Sequence, residues 1–189
     1  DILPEAFGQF PGGHQALFVT LLAGIMGFYF LEHLAIWRHA HPDGFSGDSC
    51  SSQGAVPLIL IGAGTGIGPL AGFIRAQGAR RPIHLWFGAR HPDADLLYGE
   101  DLAQWAKAGQ LSGLRCAFSR SGRRQYVQDA LRQDGEALRS LISIGARIMV
   151  CGGREMAHAV RETISEILAP HGMTAAALKA EGRYAEDVY

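Results

Sequence analysis

V-P-L-I-L-I-G-A-G-T-G-I-G-P-L-A-G-F-I, residues 56–74, is the stretch whose reading decides the fold. Its apolar run over 58–61 has the length of a strand buried on both faces, and it stops at a loop holding Gly62, Gly64, Gly66 and Gly68. Pro69 suits a first helical turn, where its missing N–H has no intrahelical partner to lose, and Leu70, Phe73 and Ile74 repeat at helical spacing. Strand, glycine loop and helix start together form an anion site, because backbone N–H groups and the positive end of the helix dipole face whatever lies over the loop. The spacing does not fit G-x-G-x-x-G, whose sixth position is Ile67 counted from Gly62 and Pro69 counted from Gly64. Nor does it fit G-x-x-x-x-G-K-[ST], since no Lys follows these glycines. A tight turn whose glycines only supply positive φ is the plainer alternative.

Around that stretch the composition allows one α/β core. The chain has 189 residues, 48% of them hydrophobic and 19% charged. A net charge of -1 and the lack of a basic stretch interleaved with aromatics argue against nucleic acid as a partner. Cys50, Cys116 and Cys151 are odd in number and lack metal-ligand spacing, which fits a reduced, cytosolic-side domain with no metal better than a disulfide framework.

Upstream, residues 16–31 carry no charge, and the apolar character resumes after Glu32 and His33 as far as Trp37, a length that spans a bilayer. Phe28, Tyr29, Phe30 and Trp37 stand where an interfacial belt would lie, with Arg38 just beyond, which favours the C-terminal part on the cytoplasmic face. Residues 1–38 are therefore read as a transmembrane helix segment. A buried core helix is the alternative, because Glu32 inside a span is costly. No basic stretch precedes the run, so it does not read as a signal peptide. His14, His33, His39 and His41 suit a solvated interfacial cluster better than a haem site on one helix. Residues 39–54, rich in Gly, Ser, Asp and Pro, read as a linker.

Downstream, residues 55–189 read as a doubly wound parallel α/β domain. A second strand over 83–87 ends at Gly88, and its tip, G-A-R-H-P, lacks the acid that holds a ribose 2'-hydroxyl in NAD enzymes. A helix starts near Gly99, with Leu102 and Trp105 on one face. The third strand, 114–118, leads into Ser119, Arg120, Arg124, Tyr126 and Gln128. Hydroxyl, guanidinium, aromatic and amide groups then meet at one strand's carboxyl edge, a set that suits a phosphorylated adenosine. A solvated basic loop is the alternative there. The fourth strand, 147–150, runs into Cys151, Gly152 and Gly153, and a helix over 155–168 follows with Met156, Val160, Ile164 and Ile167 on its apolar face. By itself Cys151 reads as a small buried hydrophobe. Residues 175–178 form a candidate fifth strand, before the chain ends in E-G-R-Y-A-E-D-V-Y.

Taken in order, G-A-G-T-G-I-G-P, F-G-A-R-H-P-D-A-D-L-L-Y, A-F-S-R, R-Q-Y-V-Q, V-C-G-G and R-Y-A-E-D-V-Y resemble the NADPH-binding half of ferredoxin-NADP reductase-like flavoproteins. The branch most similar is that of sulfite reductase flavoproteins and diflavin reductases, including membrane-anchored bacterial forms. The resemblance covers residues 55–189. It implies an NADPH-dependent flavin oxidoreductase that passes hydride from NADPH to FAD and electrons on to a haem, iron-sulfur or metal acceptor carried by a redox partner. It implies that Gly64, Thr65 and Gly66 hold the pyrophosphate and that Ser119, Arg120, Arg124, Tyr126 and Gln128 hold the region of the adenosine 2'-phosphate. Cys151, followed by Gly152 in the cofactor loop, would lie beside the nicotinamide C4. Asp187 would face the charge developing on the nicotinamide, and Tyr189 would cover the flavin ring until nicotinamide displaces it; a frayed terminus is the plainer reading of Tyr189.

Two departures accompany the likeness. Gly153 stands where the family commonly has Asp, and the R-x-Y-S and glycine-serine motifs of an FAD-binding barrel are not found. The stretch from Arg38 to Gly54 is too short for such a barrel. The chain is accordingly expected to be a natural deletion, a fragment, or a subunit whose flavin domain comes from another chain. A non-catalytic NADP(H)-binding or docking subunit is the alternative function. The expected location is a bacterial-type inner membrane with the nucleotide domain on the cytoplasmic side, or else the cytoplasm.

Overall fold

The structure is a computed structural model that describes residues 55–77 and 80–189. The stretch read as a transmembrane helix, the stretch read as a linker, the four upstream histidines and Cys50 lie outside the described residues. Among the described residues, no helix is long and apolar enough to cross a membrane.

Five parallel strands form one sheet in the order β3-β2-β1-β4-β5. They are β1 (Leu58–Ala63), β2 (Ile83–Ala89), β3 (Gly113–Phe118), β4 (Arg147–Gly152) and β5 (Tyr184–Val188). The alternation of buried side chains along β1 explains its central place. Leu58 and Leu60 point into one apolar core, while Ile59 and Ile61 point into the other. A strand apolar on both faces must be covered twice. Helices α1 (Ile67–Gln77) and α2 (Gly99–Lys107) cover the Leu58 side through Ile67, Leu70, Ile74, Leu102 and Trp105. On the Ile59 side lie α3 (Val127–Gln133), α4 (Gly135–Ser143), α5 (Arg154–Leu168) and α6 (Ala175–Ala180), whose buried residues include Leu131, Leu138, Val160, Ile164 and Leu178. This is the doubly wound α/β arrangement expected from the sequence.

One expectation is overturned. Residues 175–178 are not a strand but part of α6, and the fifth strand is Tyr184–Val188. Ala, Leu and Lys are strong helix formers, and the Thr174 hydroxyl caps the helix by accepting from the Ala177 N–H at 3.1 Å. A short apolar run does not by itself distinguish helix from strand. Helices α3 and α4 also fill 127–143, a stretch to which the sequence reading gave no element.

The chain moves outward through β1, β2 and β3 and then returns to place β4 on the other side of β1. The loops after β1 and β4 therefore leave the sheet in opposite directions. A crevice opens between them at the strands' carboxyl ends, the usual ligand position in such sheets.

Candidate functional site

Backbone contact between those two loops shapes the crevice. A 3-10 turn, Gly64–Gly66, leads directly into α1. A Cβ on Gly66 would stand 2.1 Å from the Cys151 carbonyl oxygen, so only glycine lets the β1 loop lie against the end of β4. Gly64 takes a positive φ of 56°, and it and Thr65 are exposed in the crevice. Gly66 and Gly152 are buried where the loops meet.

A cleft of about 760 Å³ runs along the carboxyl edge of the sheet. Of the residues singled out from the sequence, it brings together Gly64, Thr65, Ser119, Tyr126, Gln128 and Tyr189. Arg120 and Arg124 do not line it but stand exposed beside it. The Arg120 N–H donates to the Arg90 carbonyl at 2.9 Å, holding the loop after β3 to the end of β2. Arg124 lies 4.9 Å above the centre of the Tyr126 ring and its Nη2 donates to the Tyr126 hydroxyl, so a guanidinium already stacks on that aromatic face.

Cys151 is 3% exposed, and its Sγ lies 4.0 Å from Asp187 Oδ2 across the β4–β5 register. Burial, and then the Asp187 charge, push the Cys151 thiol up, so it stays protonated at neutral pH and is a poor nucleophile. Tyr189 has two hydrogen-bond partners in the site. Its N–H donates to the Gly152 carbonyl at 3.3 Å, and its hydroxyl is 2.5 Å from Thr65 Oγ1, although the ring is 62% exposed. The terminal aromatic thus lies over the glycine loop.

Arg90, Asp95, Glu155 and Met156 also line the cleft and were not singled out as site residues from the sequence. Arg90 and Asp95 belong to the G-A-R-H-P-D-A-D segment after β2, where His91 Nδ1 and Asp95 Oδ2 meet at 2.7 Å. The His91 hydrogen bond holds the Asp95 carboxyl below the usual carboxylate range. Glu155 and Met156 occupy the first turn of α5, directly after V-C-G-G. A helix start at a strand's carboxyl end was the available signal for them. Among the described residues, no group of His, Cys, Asp and Glu is placed to hold a metal ion.

Residues 60–162 match the model of the oxidoreductase NAD-binding domain family. Among curated proteins, human NADPH–cytochrome P450 reductase is 39% identical over 154 residues, covering 72% of this chain and 23% of that protein. The sulfite reductase [NADPH] flavoprotein alpha-component of Klebsiella pneumoniae is 40% identical over 146 residues, covering 70% of this chain and 24% of its own length. That of Thiocapsa roseopersicina is 41% identical over 118 residues, covering 60% and 23%. The chain thus spans about a quarter of the length of these relatives.

Proposed function

The chain belongs to the oxidoreductase NAD-binding domain family, and from that premise we propose that residues 55–189 are the NADPH-binding module of a flavoprotein reductase that passes electrons to a redox partner. One observation carries this reading. At the switch point of the sheet, the phosphate-loop residue Thr65, the Ser119–Gln128 segment, the Cys151–Asp187 pair and Tyr189 all meet at a single carboxyl edge.

The residues present fit a phosphorylated dinucleotide. Thr65 and the start of α1 offer a hydroxyl and a helix N-terminus to the pyrophosphate. Ser119, Arg120 and Arg124 offer a hydroxyl and two guanidiniums to a 2'-phosphate, with Tyr126 as the aromatic wall. No acid stands at the tip of β2 to favour an unphosphorylated ribose. NADPH, when bound, would supply the hydride and a flavin, read as FAD, would accept it; the relatives named sulfite reductase [NADPH] flavoprotein support NADPH and a flavin as the pair. The residues' own work is positioning. Cys151 offers a neutral, buried thiol at the end of β4, Asp187 offers a carboxylate beside it, and Tyr189 shields the loop until the nicotinamide arrives. The Gly153 position supplies no carboxylate, and the carboxylates beside the end of β4 are those of Asp187 and of Glu155, which lines the cleft. We extend the proposal to a membrane tether in residues 1–38, placing the nucleotide domain on the cytoplasmic side of a bacterial-type inner membrane.

Calorimetric titration tests the cofactor reading. NADPH binds more tightly than NADH, and Arg120→Ala weakens NADPH by roughly 10- to 100-fold, the value of a charge-assisted hydrogen bond, with little effect on NADH. Equal affinity for the two cofactors in the wild-type chain would sink the reading.

A further inference from the structure

The C-terminal strand carries two carboxylates with opposite surroundings. Asp187 is exposed and faces Cys151, whereas the Glu186 side chain is only 6% exposed and faces the other side of the sheet. Alternation along a strand dictates this, since neighbouring side chains point to opposite faces. Glu186 is enclosed by partners from three elements. Its Oε1 accepts from Arg161 Nε at 2.9 Å and from the Tyr184 hydroxyl at 2.8 Å. Its Oε2 accepts from Arg161 Nη2 at 2.9 Å, and Lys179 Nζ is 3.6 Å away. Arg161 belongs to α5, Lys179 to α6 and Tyr184 to the start of β5 itself.

This arrangement matters because β5 is an edge strand. Among the described residues it pairs with β4 alone, and a strand held on one side opens more readily than one held on both. Tyr184 is buried, but Val188 and Tyr189 are exposed, so apolar burial fixes the start of the strand and not its end. The bidentate Arg161–Glu186 pair is the last side-chain anchor before Asp187 and Tyr189. We propose that Glu186 is a positioning residue for the nucleotide site: clamped by Arg161, Tyr184 and Lys179, it holds β5 in the register that sets Asp187 beside Cys151 and Tyr189 over Thr65. It touches no ligand and acts through the strand. This deepens the NADPH-module reading and rests on it for the meaning of the site, but the clamp itself is testable without any cofactor.

Alkylation of the folded full chain by N-ethylmaleimide, read peptide by peptide by mass spectrometry, provides the test. Cys151 reports on the β4–β5 end, and half-buried Cys116 on β3, at the opposite edge of the sheet, serves as the internal control. Glu186→Gln and Arg161→Met keep the fold while lowering its stability, and each raises the Cys151 rate about tenfold more than the Cys116 rate, as a local opening of β5 would. A merely structural role raises both rates in step through global opening. That result, or an unchanged Cys151 rate in both variants, overturns the proposal. A parallel run of the wild-type chain with NADP+ separates the two readings. Slower Cys151 alkylation with NADP+ supports the cofactor reading, and its absence counts against that reading while leaving the clamp to be judged by the variants alone.

Discussion

Gly66 has no space for a side chain, and the reason lies in another strand. A Cβ there would meet the Cys151 carbonyl oxygen at 2.1 Å and its carbon at 2.6 Å, both backbone atoms that a rotamer change does not move. Gly64 differs, because nothing lies within 4 Å of its Cβ position but its φ is 56°. Gly64→Ala therefore costs about 1–2 kcal/mol from left-handed strain alone. Gly66→Ala forces the β1 loop off the end of β4, costing about 1–3 kcal/mol or more as overpacking does, and it displaces Thr65 from Tyr189 as well. Urea unfolding should rank Gly66→Ala as the more damaging of the two, and only that variant should also raise the exposure of Cys151 to alkylation. A Gly66→Ala protein as stable as wild type would mean that the two loops are not in contact. The glycines were legible in the sequence as a loop after a buried strand. Which of them faces ligand and which faces protein was not, because that depends on β4, some 85 positions further on in the chain.

The elements differ in how plainly the sequence announces them. β1 and β4 carry continuous apolar runs ended by glycine, β2 carries one interrupted only by His84, and α5 carries Val160, Ile164 and Ile167 at helical spacing, so each was legible. β5 was not. Y-A-E-D-V contains two acids and only alternates in burial, and its stability comes from partners on α5 and α6 that no local pattern reveals. The short apolar run of α6 drew the strand assignment instead. The charge clamp also makes β5 sensitive to pH, with a definite sign. Burial alone would raise the Glu186 carboxyl, but the hydrogen bonds from Arg161 and Tyr184 and the charges of Arg161 and Lys179 outweigh it and hold the group below its ordinary value of 4.5. A carboxyl with a depressed folded pKa adds stability in full above its unfolded pKa and loses it as pH falls through the folded value. Glu186→Gln is therefore less stable than wild type by about 1–3 kcal/mol at pH 7, the value of a hydrogen bond to a charged group. In urea titrations at successive pH values, that gap should narrow below pH 4.5. A gap that stays constant down to acid pH would show that the ion pair contributes nothing beyond shape.

Across the described residues, two cores on opposite faces of one sheet leave the central strands protected from both sides and the edges from fewer. β1 is buried along five of its six residues and sits between β2 and β4, whereas β3 exposes Leu114 and Arg115, and β5 exposes Ala185, Asp187 and Val188. Amide exchange of the full chain should therefore be slowest in Leu58–Ala63, Ile83–Ala89 and Arg147–Gly152, and faster in β5, since opening free energies follow buried contacts. The site is distributed across this gradient. In the proposed NADPH reading its loop hangs from β1, its adenosine end would follow β3, and its nicotinamide end would rest on β5. A ligand bridging those parts must add protection at both edges at once, because binding stabilises every state that keeps the site assembled. Saturating NADP+ should slow exchange in the Gly64–Gly66 turn, in residues 119–128 and in β5 together, with little change in β1. A second cleft between β2, β3 and α4, lined by His84, Leu114 and Leu141, lies away from the carboxyl ends of the strands and serves as the comparison. Protection confined to His84, Leu114 and Leu141 would move the nucleotide to the wrong place in the fold and overturn the switch-point assignment. Protection of 119–128 without β5 would keep the adenosine end and show that the nicotinamide end stays open until a flavin partner closes it.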